Sequence, residues 1–315
     1  MSNENILFLY HDPCTDGLMC RVIAERFFSK KRHCNVTYVG ANPSTLSFDI
    51  DVILKKNNCC DKIFAFDVSI TPDILRKLTT VCADVHVYDH HESTAKAFSN
   101  VKDVEKQRIH FDNSQCGAQL AWNHFFPDLP TPSIISYVQV RDLWLFGKQG
   151  DLPRSKEITT YLYDRVFSLP FSMASTYQHL LDIDDDDEYF ENAFFQGTEI
   201  LTKIEMTVAD VCSNMKRRRI VLNQKPLQVG VVESSILASE IGNHIVTSCN
   251  DVDFALIWCF DAEKRLRISL RSDAKRCNVN DVAKSLWGGG GHAAASGALL
   301  LDEKSQTLFL QEFSI

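Results

Sequence analysis

The chain has 315 residues, 45% of them apolar and 23% charged, and a formal net charge of −8. A chain of that length buries roughly three quarters of its unfolded surface, enough for one or two cores, and its composition excludes wholesale disorder. The negative balance disfavours stable duplex DNA binding, which needs phosphate-neutralising Lys and Arg across a whole face.

Eleven cysteines, an odd number, include the adjacent pair Cys59-Cys60. The stretch Met1 to Asn5 is polar and lacks an apolar signal core. No stretch reaches the ~18 apolar residues of a membrane span. These features lead to the expectation of a cytoplasmic protein with free thiols and no membrane contact. The absence of any C-x-x-C pair argues against a structural zinc knuckle.

In chain order, Ile6 to Tyr10 is a short apolar run that predicts a strand, and Leu18 to Phe28 has helical apolar spacing. Val36 to Val39 reads as a strand, Ile63 to Phe66 as another, and Pro72 to Leu78 as a helix. Val85 to Tyr88 is a further strand that runs straight into Asp89. This alternation predicts a mostly parallel sheet with helices on both faces. Gln115 to Phe126 and Ser133 to Phe146 read as helices, the second carrying Arg141-Asp142-Leu143-Trp144 near its end. The more polar stretch 151–215 reads as a helical connector and contains the acidic run Asp184 to Glu188, read as solvated. From Arg219 the pattern changes. Ile220 to Leu222, Gln228 to Val232, Phe254 to Phe260 and Leu266 to Leu270 look like strands, with helices at Ser235 to Val246 and Asn280 to Leu286. The expected division is therefore 1–150, a connector over 151–215, and a smaller α/β domain over 216–315.

The polar residues at the strand ends carry the chemistry. His11 and Asp16 follow the first strand, Asp67 ends the strand Ile63 to Phe66, and Asp89-His90-His91 ends Val85 to Tyr88. Ligand sites of open α/β sheets lie outside the carboxyl ends of the strands. His11, Asp16, Asp67, His90 and Asp142 suffice to ligate two divalent ions, with Asp67 as the natural bridge. A donor set of His and Asp suits Mn²⁺, Mg²⁺, Fe²⁺ or Co²⁺ better than a thiolate metal. Singly, each of these residues reads as an ordinary cap or surface group; Asp67, before Ser69, Thr71 and Pro72, has the look of a helix N-cap.

The run Gly288 to Gly291 followed by His292 is the second chemical signal. Glycines permit close backbone approach and offer N–H groups to an anion. His292 and Arg271 add charge-assisted bonds to phosphate oxygens. Lys216-Arg217-Arg218-Arg219 reads as a solvated lead into a strand, and Trp287 reads as packing or as a base-stacking surface.

Taken in order, these motifs resemble the DHH phosphoesterases that carry a C-terminal DHHA1 domain. His11-Asp12-Pro13-Cys14-Thr15-Asp16-Gly17 is similar to the first family motif, Asp67 to the second, Asp89-His90-His91 to the third and Asp142 to the fourth. Ile268 to Ser272 and Gly288 to Gly297 resemble the DHHA1 signature. The resemblance implies an α/β fold: a parallel-sheet DHH domain, a smaller DHHA1 domain and a cleft between them. It also implies two divalent ions, Mn²⁺ foremost with Mg²⁺ or Co²⁺ as alternatives. One ion would take Asp16, Asp67, His90 and Asp142; the other would take His11, Asp67 and the position of Cys14. The family pattern has Asp where this chain has Cys14, so the second site either prefers a different metal, binds weakly or recruits Asp12, or else Cys14 is a buried small residue and that site is partly lost.

The same resemblance assigns catalytic roles to His91, which would face the phosphate, and to Asp89, which would orient the imidazoles. It assigns substrate binding to Arg271, Ser272, Gly289, Gly290, Gly291 and His292. The expected activity is hydrolysis of short oligonucleotides or cyclic or linear dinucleotides to mononucleotides, and the sequence leaves monomer and homodimer both open. The alternatives are a phosphomonoesterase on phosphoadenosine phosphate, a polyphosphatase, or a nucleotide sensor whose metal site Cys14 impairs.

Overall fold

The structure, a computed structural model, describes residues 3–43, 45–57, 60–167, 171–183 and 188–313. It divides into two compact units, Met1–Leu201 and Thr202–Ile315.

In the first unit, strands β1 (Glu4–His11), β2 (Cys34–Ala41), β3 (Lys62–Phe66), β4 (Val85–Asp89) and β5 (Ile109–Phe111) form one sheet in the order β2-β1-β3-β4-β5. Every pairing is parallel. Strand β1 shows why. Ile6, Phe8 and Tyr10 enter one core cluster while Leu7 and Leu9 enter another, so an uninterrupted apolar run is buried on both faces. Helices α1 (Thr15–Phe28), α2 (Leu46–Lys56), α3 (Pro72–Val81), α4 (Glu92–Phe98), α5 (Asp103–Lys106), α6 (Gly117–Phe125) and α7 (Ser133–Asp142) flank the sheet or cap it. Phe8, Phe64, Phe66 and Phe125 pack together beneath α1 and α6, whereas Leu46, Ile50, Leu75 and Leu78 of α2 and α3 cover the opposite face.

Because β2 lies on one side of β1 and β3 on the other, the chain reverses direction across the sheet at β1 and β3. Their carboxyl ends flank the crevice that such a reversal opens.

Helix α2 has no counterpart in the expected elements; its apolar residues are broken up by Asp49 and Asp51, which hides the period. The helix expected through Phe146 stops at Asp142, and the chain turns away at Trp144, whose φ is +52°. Residues 151–201 of the expected connector belong to the first unit. Helix α8 (Ser155–Tyr161), a π-turn over Leu162–Val166 and a 3-10 stretch over Phe171–Asp182 insert Ile158, Leu162, Phe167, Tyr177 and Leu180 into the aromatic core. Helix α9 (Glu188–Ser213) carries the division between the units within its length. Of the acidic run, residues 184–187 lie outside the described residues. Among the described residues no helix is long and apolar enough to cross a membrane.

The second unit is a six-stranded mixed sheet in the order β10-β11-β9-β8-β7-β6. Its strands are β6 (Lys216–Leu222), β7 (Lys225–Glu233), β8 (Phe254–Phe260), β9 (Leu266–Ser272), β10 (Gly290–Gly291) and β11 (Ala295–Leu300). Helices α10 (Ala238–Ser248), α11 (Val279–Trp287) and α12 (Glu303–Glu312) complete it. Leu256, Ile268, Val282, Phe309 and Phe313 share one core cluster; Ile241, Ile245 and Ile257 share another on the α10 side. Trp287 lies 5.9 Å from Phe309 between ring centroids, which gives it a packing role.

Phe66 is fully buried at the end of β3, stacked 4.4 Å from Tyr88 and 5.4 Å from Phe8. Removing its ring leaves a cavity directly below the sheet's crevice. Phe66→Ala is expected to lower the unfolding free energy by about 3–5 kcal/mol. Denaturant titration of the full chain measures this; a loss under about 1 kcal/mol would mean that the aromatic stack is dispensable.

Candidate metal centre

The first group of side chains is set by the turn after β1. Strand β1 ends at His11, and the chain enters α1 through Asp12-Pro13-Cys14. Gly17, in the first turn of α1, sits so tightly on this turn that a Cβ there would lie 2.2 Å from the His11 carbonyl oxygen. Glycine at 17 therefore lets His11 and Asp16 reach the same place. The side chain of Asp12 leans against Gly40 of β2, where a Cβ would meet its Oδ2 at 2.3 Å. Asp12 joins none of the metal-type clusters found among the described residues, so the structure does not support it as a substitute ligand.

Asp67 follows β3 directly with φ of +59°, a left-handed conformation that Asp adopts more readily than bulky residues. Its N–H donates to the Tyr88 carbonyl at 2.9 Å, which extends the ladder by one residue beyond the strand. It is not a helix cap; Thr71 caps α3, its hydroxyl accepting from the Ile74 N–H at 3.3 Å. Asp67 is 1% exposed and lies between histidines. Oδ1 is 3.0 Å from His90 Nε2 and 3.8 Å from His91 Nδ1, while Oδ2 is 3.4 Å from His11 Nδ1.

His90 Nε2 also faces Asp16 Oδ2 and Asp142 Oδ2, each at 3.7 Å. Asp142 arrives from the last position of α7. Asp16 is held by the start of α6: its Oδ2 accepts from the Gly117 N–H at 2.6 Å and its Oδ1 from the Ala118 N–H at 2.7 Å. The first N–H groups of a helix have no partner inside it, so a buried carboxylate is a natural complement. Space there is tight, since a Cβ on Gly117 would sit 2.6 Å from Asp67 Cβ and 2.9 Å from Asp16 Oδ2.

Asp89 differs from these. Its Oδ1 accepts from the His90 N–H at 2.8 Å and pairs with His91 Nδ1 at 2.7 Å, and its Oδ2 accepts from the Thr94 hydroxyl. A fully buried carboxylate so engaged orients the tandem histidines.

The electrostatics follow from burying so many carboxylates together. Burial first, and then the fields of Asp67 and Asp142, push the Asp16 carboxyl up to about 8. Burial alone would raise Asp67 and lower His90. The close approach of His11 and His90 to its two oxygens instead holds Asp67 well below the carboxylate range. The bond to Asp67 and the fields of Asp142, Asp67 and Asp16 raise His90 to about 10. Burial raises Asp142, and burial together with Asp67 raises the Cys14 thiol.

The donor atoms fit divalent cations. Asp67 Oδ2, Asp142 Oδ2 and His11 Nδ1 are buried, yet none makes a hydrogen bond of normal geometry among the described residues. Ligand-type atoms of Asp16, His90 and Asp142 lie within 4.8 Å of one another, as do those of His11, Cys14 and Asp67. All eight residues expected at this rim are thus brought together: His11, Cys14, Asp16, Asp67, Asp89, His90, His91 and Asp142. The sequence reading named Gly17 within the first motif without a role for it, and missed Thr94 and the N–H pair of Gly117 and Ala118; the small pair Gly117-Ala118 opening a helix was the available signal.

In the second unit, the glycine run is less open than a free anion loop. Gly288 closes α11 with φ of +67°, and a Cβ on Gly289 would lie 2.0 Å from the Gly297 carbonyl oxygen. Gly290 and Gly291 pair with Gly297 and Ser296 of β11, and His292 occupies the turn, its N–H donating to Ala295 at 2.7 Å. Arg271 on β9 donates to the Leu270 carbonyl at 2.9 Å and to the Ser239 hydroxyl at 2.8 Å. Ser272 donates its hydroxyl to the Cys277 carbonyl at 2.5 Å, which gives that side chain a structural duty.

Two outcomes test the centre. Saturating Mn²⁺ is expected to raise the thermal midpoint of the full chain, by about 2.7 kcal/mol of stabilisation at a hundredfold excess over Kd. Asp67→Ala should abolish that shift; an equal shift in both proteins would remove Asp67 from the site. Gly117→Ala forces Asp16 and Asp67 apart and should weaken Mn²⁺ binding about 10–100-fold in calorimetry while the chain stays folded. An unchanged Kd would show that the start of α6 does not set the ligand geometry.

No family model matches the chain. It is 25% identical over 299 residues to "Uncharacterized protein R106" of Acanthamoeba polyphaga mimivirus, an alignment covering 92% of this chain and 66% of that protein. It is 22% identical over 317 aligned positions to "Oligoribonuclease NrnB" of Bacillus subtilis, covering 98% of this chain and 76% of that one. The chain thus spans about two thirds of the first relative's length and about three quarters of the second's. Among solved structures, "exonuclease RecJ bound to manganese" superposes with a TM-score of 0.49 at 13% identity, over 99% of this chain and 90% of that chain. The ordered motifs lie together at one rim, and over nearly its full length the chain is similar to that Bacillus protein.

Proposed function

We propose that the chain is a metal-dependent phosphodiesterase that hydrolyses short oligonucleotides or dinucleotides to mononucleotides. The observation that carries this reading is the buried Asp67 carboxylate, flanked by His11 on one side and His90 on the other at the end of β3. A cation pair bound there supplies Lewis acidity at phosphorus and a water of lowered pKa. The substrate class is supported by the similarity to a protein named as an oligoribonuclease.

The side chains divide the remaining work. Asp67 reaches both donor sets and fixes their separation. Asp89 holds His91 through Nδ1 and, with its negative charge, outweighs the effect of burial and raises the His91 pKa. A cationic imidazole fixed in this way donates a hydrogen bond to a non-bridging phosphate oxygen as charge accumulates on it. In the second unit, Arg271, its guanidinium positioned by Ser239, and His292 are the groups of this reading that bind a further phosphate of the substrate.

The test is a panel of di- to pentaribonucleotides, cyclic dinucleotides, phosphoadenosine phosphate and polyphosphate, each with Mn²⁺, Mg²⁺ or Co²⁺. The expected result is mononucleotide release from the short RNAs with Mn²⁺ and its loss with chelator. Turnover confined to polyphosphate or phosphoadenosine phosphate would overturn the reading. His91→Ala is expected to lower kcat by about 10²-fold or more without changing metal stoichiometry. His292→Ala should weaken dinucleotide turnover by about 1.5–3 kcal/mol and spare simple phosphate esters that lack a second phosphate. Equal losses on both substrates would exclude a phosphate-gripping role for His292.

A further inference from the structure

The rim sorts its donors into two chemically different sets. Asp16, His90 and Asp142 offer oxygen and nitrogen only, whereas His11, Cys14 and Asp67 offer nitrogen, sulfur and oxygen, each set with its ligand atoms within 4.8 Å of one another. The second set is built around Asp67 Oδ2, an atom of a 1% exposed residue that makes no hydrogen bond among the described residues and lies 3.4 Å from His11 Nδ1. Cys14 is the residue at the N-cap of α1, and its side chain does not cap the helix. The neighbouring carboxylate, Asp12, is packed against Gly40.

Taking the rim to be a metal centre, as in the preceding reading, we propose that its two halves take different metals. The His11–Cys14–Asp67 set takes a thiophilic divalent ion of the Zn²⁺ or Co²⁺ kind through a Cys14 thiolate. The Asp16–His90–Asp142 set takes a hard ion such as Mn²⁺ or Mg²⁺.

The chemistry of the sets supports this division. Thiolate with imidazole favours Zn²⁺ and its relatives, and carboxylate favours Mg²⁺ and Mn²⁺. On binding, the Cys14 S–H bond breaks, a sulfur–metal bond forms and the proton passes to bulk buffer. The Cys14 thiolate and the Asp67 carboxylate together then balance the charge of one divalent ion. This proposal concerns the identity of the ions and requires nothing of the substrate.

The experiment is an anaerobic titration of the metal-free full chain with Co²⁺, followed by absorbance. A thiolate-to-cobalt charge-transfer band in the near ultraviolet is expected to saturate with a single Co²⁺ per chain. It should vanish in Cys14→Ser and in Cys14→Asp and survive in Cys20→Ser. A second measurement uses the unaltered chain: alkylation of Cys14, followed by peptide mass mapping, should be blocked by Zn²⁺ and not by Mn²⁺. Absence of the band in the wild-type chain, its persistence in Cys14→Ser, or equal protection by the two ions would overturn the proposal. Dinucleotide hydrolysis without the band would sink the mixed-metal centre and leave the phosphodiesterase reading standing. The band without any phosphodiester turnover would do the reverse.

Discussion

The first unit is organised around a charge problem. Asp16, Asp67 and Asp142 all face one imidazole nitrogen, that of His90, from 3.0 to 3.7 Å. Two like charges within 4.8 Å repel by about 3–4 kcal/mol at an effective dielectric near 20. A cluster of this kind persists only where something offsets the repulsion. Here the His90 imidazole and the helix start at Gly117 and Ala118 do so in part. Divalent cations would do it more completely, because two buried carboxylate oxygens, Asp67 Oδ2 and Asp142 Oδ2, have no hydrogen-bond partner among the described residues.

That concentration of charge also explains the architecture beneath it. Side chains can be brought to one point from β1, β3, β4 and α7 only if the strands are parallel, in register and rigid. The sheet is pinned by residues buried on both faces: Phe8, Phe66 and Tyr88 on one, Leu9, Ala65 and Val87 on the other. The glycines at 17 and 117 are spacers in the same construction. A Cβ at 17 would strike the His11 backbone, and one at 117 would strike the Asp67 and Asp16 side chains.

Much of this was legible in the sequence, for physical reasons that differ by element. The strands β1, β3, β4 and β8 are short apolar runs bounded by polar residues, so pattern alone finds them. The Asp-His-His tandem at the end of β4 is informative because a strand end has no capping need that two imidazoles would meet. The extent of α7 was not legible. Leu143, Trp144 and Leu145 continue an apolar pattern, and only the left-handed backbone at Trp144 ends the helix and leaves Asp142 at its tip. Helix α2 was hidden by acidic residues. The roles of the glycine run were only half legible, because Gly289 packs on the Gly297 carbonyl across the short β10-β11 hairpin, and a glycine run reads equally well as an open anion loop. The boundary near residue 215 followed a change in composition, whereas the compact units follow contacts and divide within α9.

The edge of the second sheet has a consequence for how the molecule behaves in a crowded solution. Strand β6 is the outermost strand on its side, and Lys216, Arg217 and Arg219 are exposed along it, with Arg217 tied to Asp251 at 2.8 Å. The basic run that reads as a lead into a strand is thus part of the strand itself. An unpaired edge offers its N–H and C=O groups to any extended chain that drifts past, and a row of like charges makes a second copy of the same edge an unfavourable neighbour. Self-association by sheet extension through β6 would set those cations against each other. Among the described residues the run therefore sets like charges along the outer edge of β6, which disfavours pairing of that edge with a copy of itself.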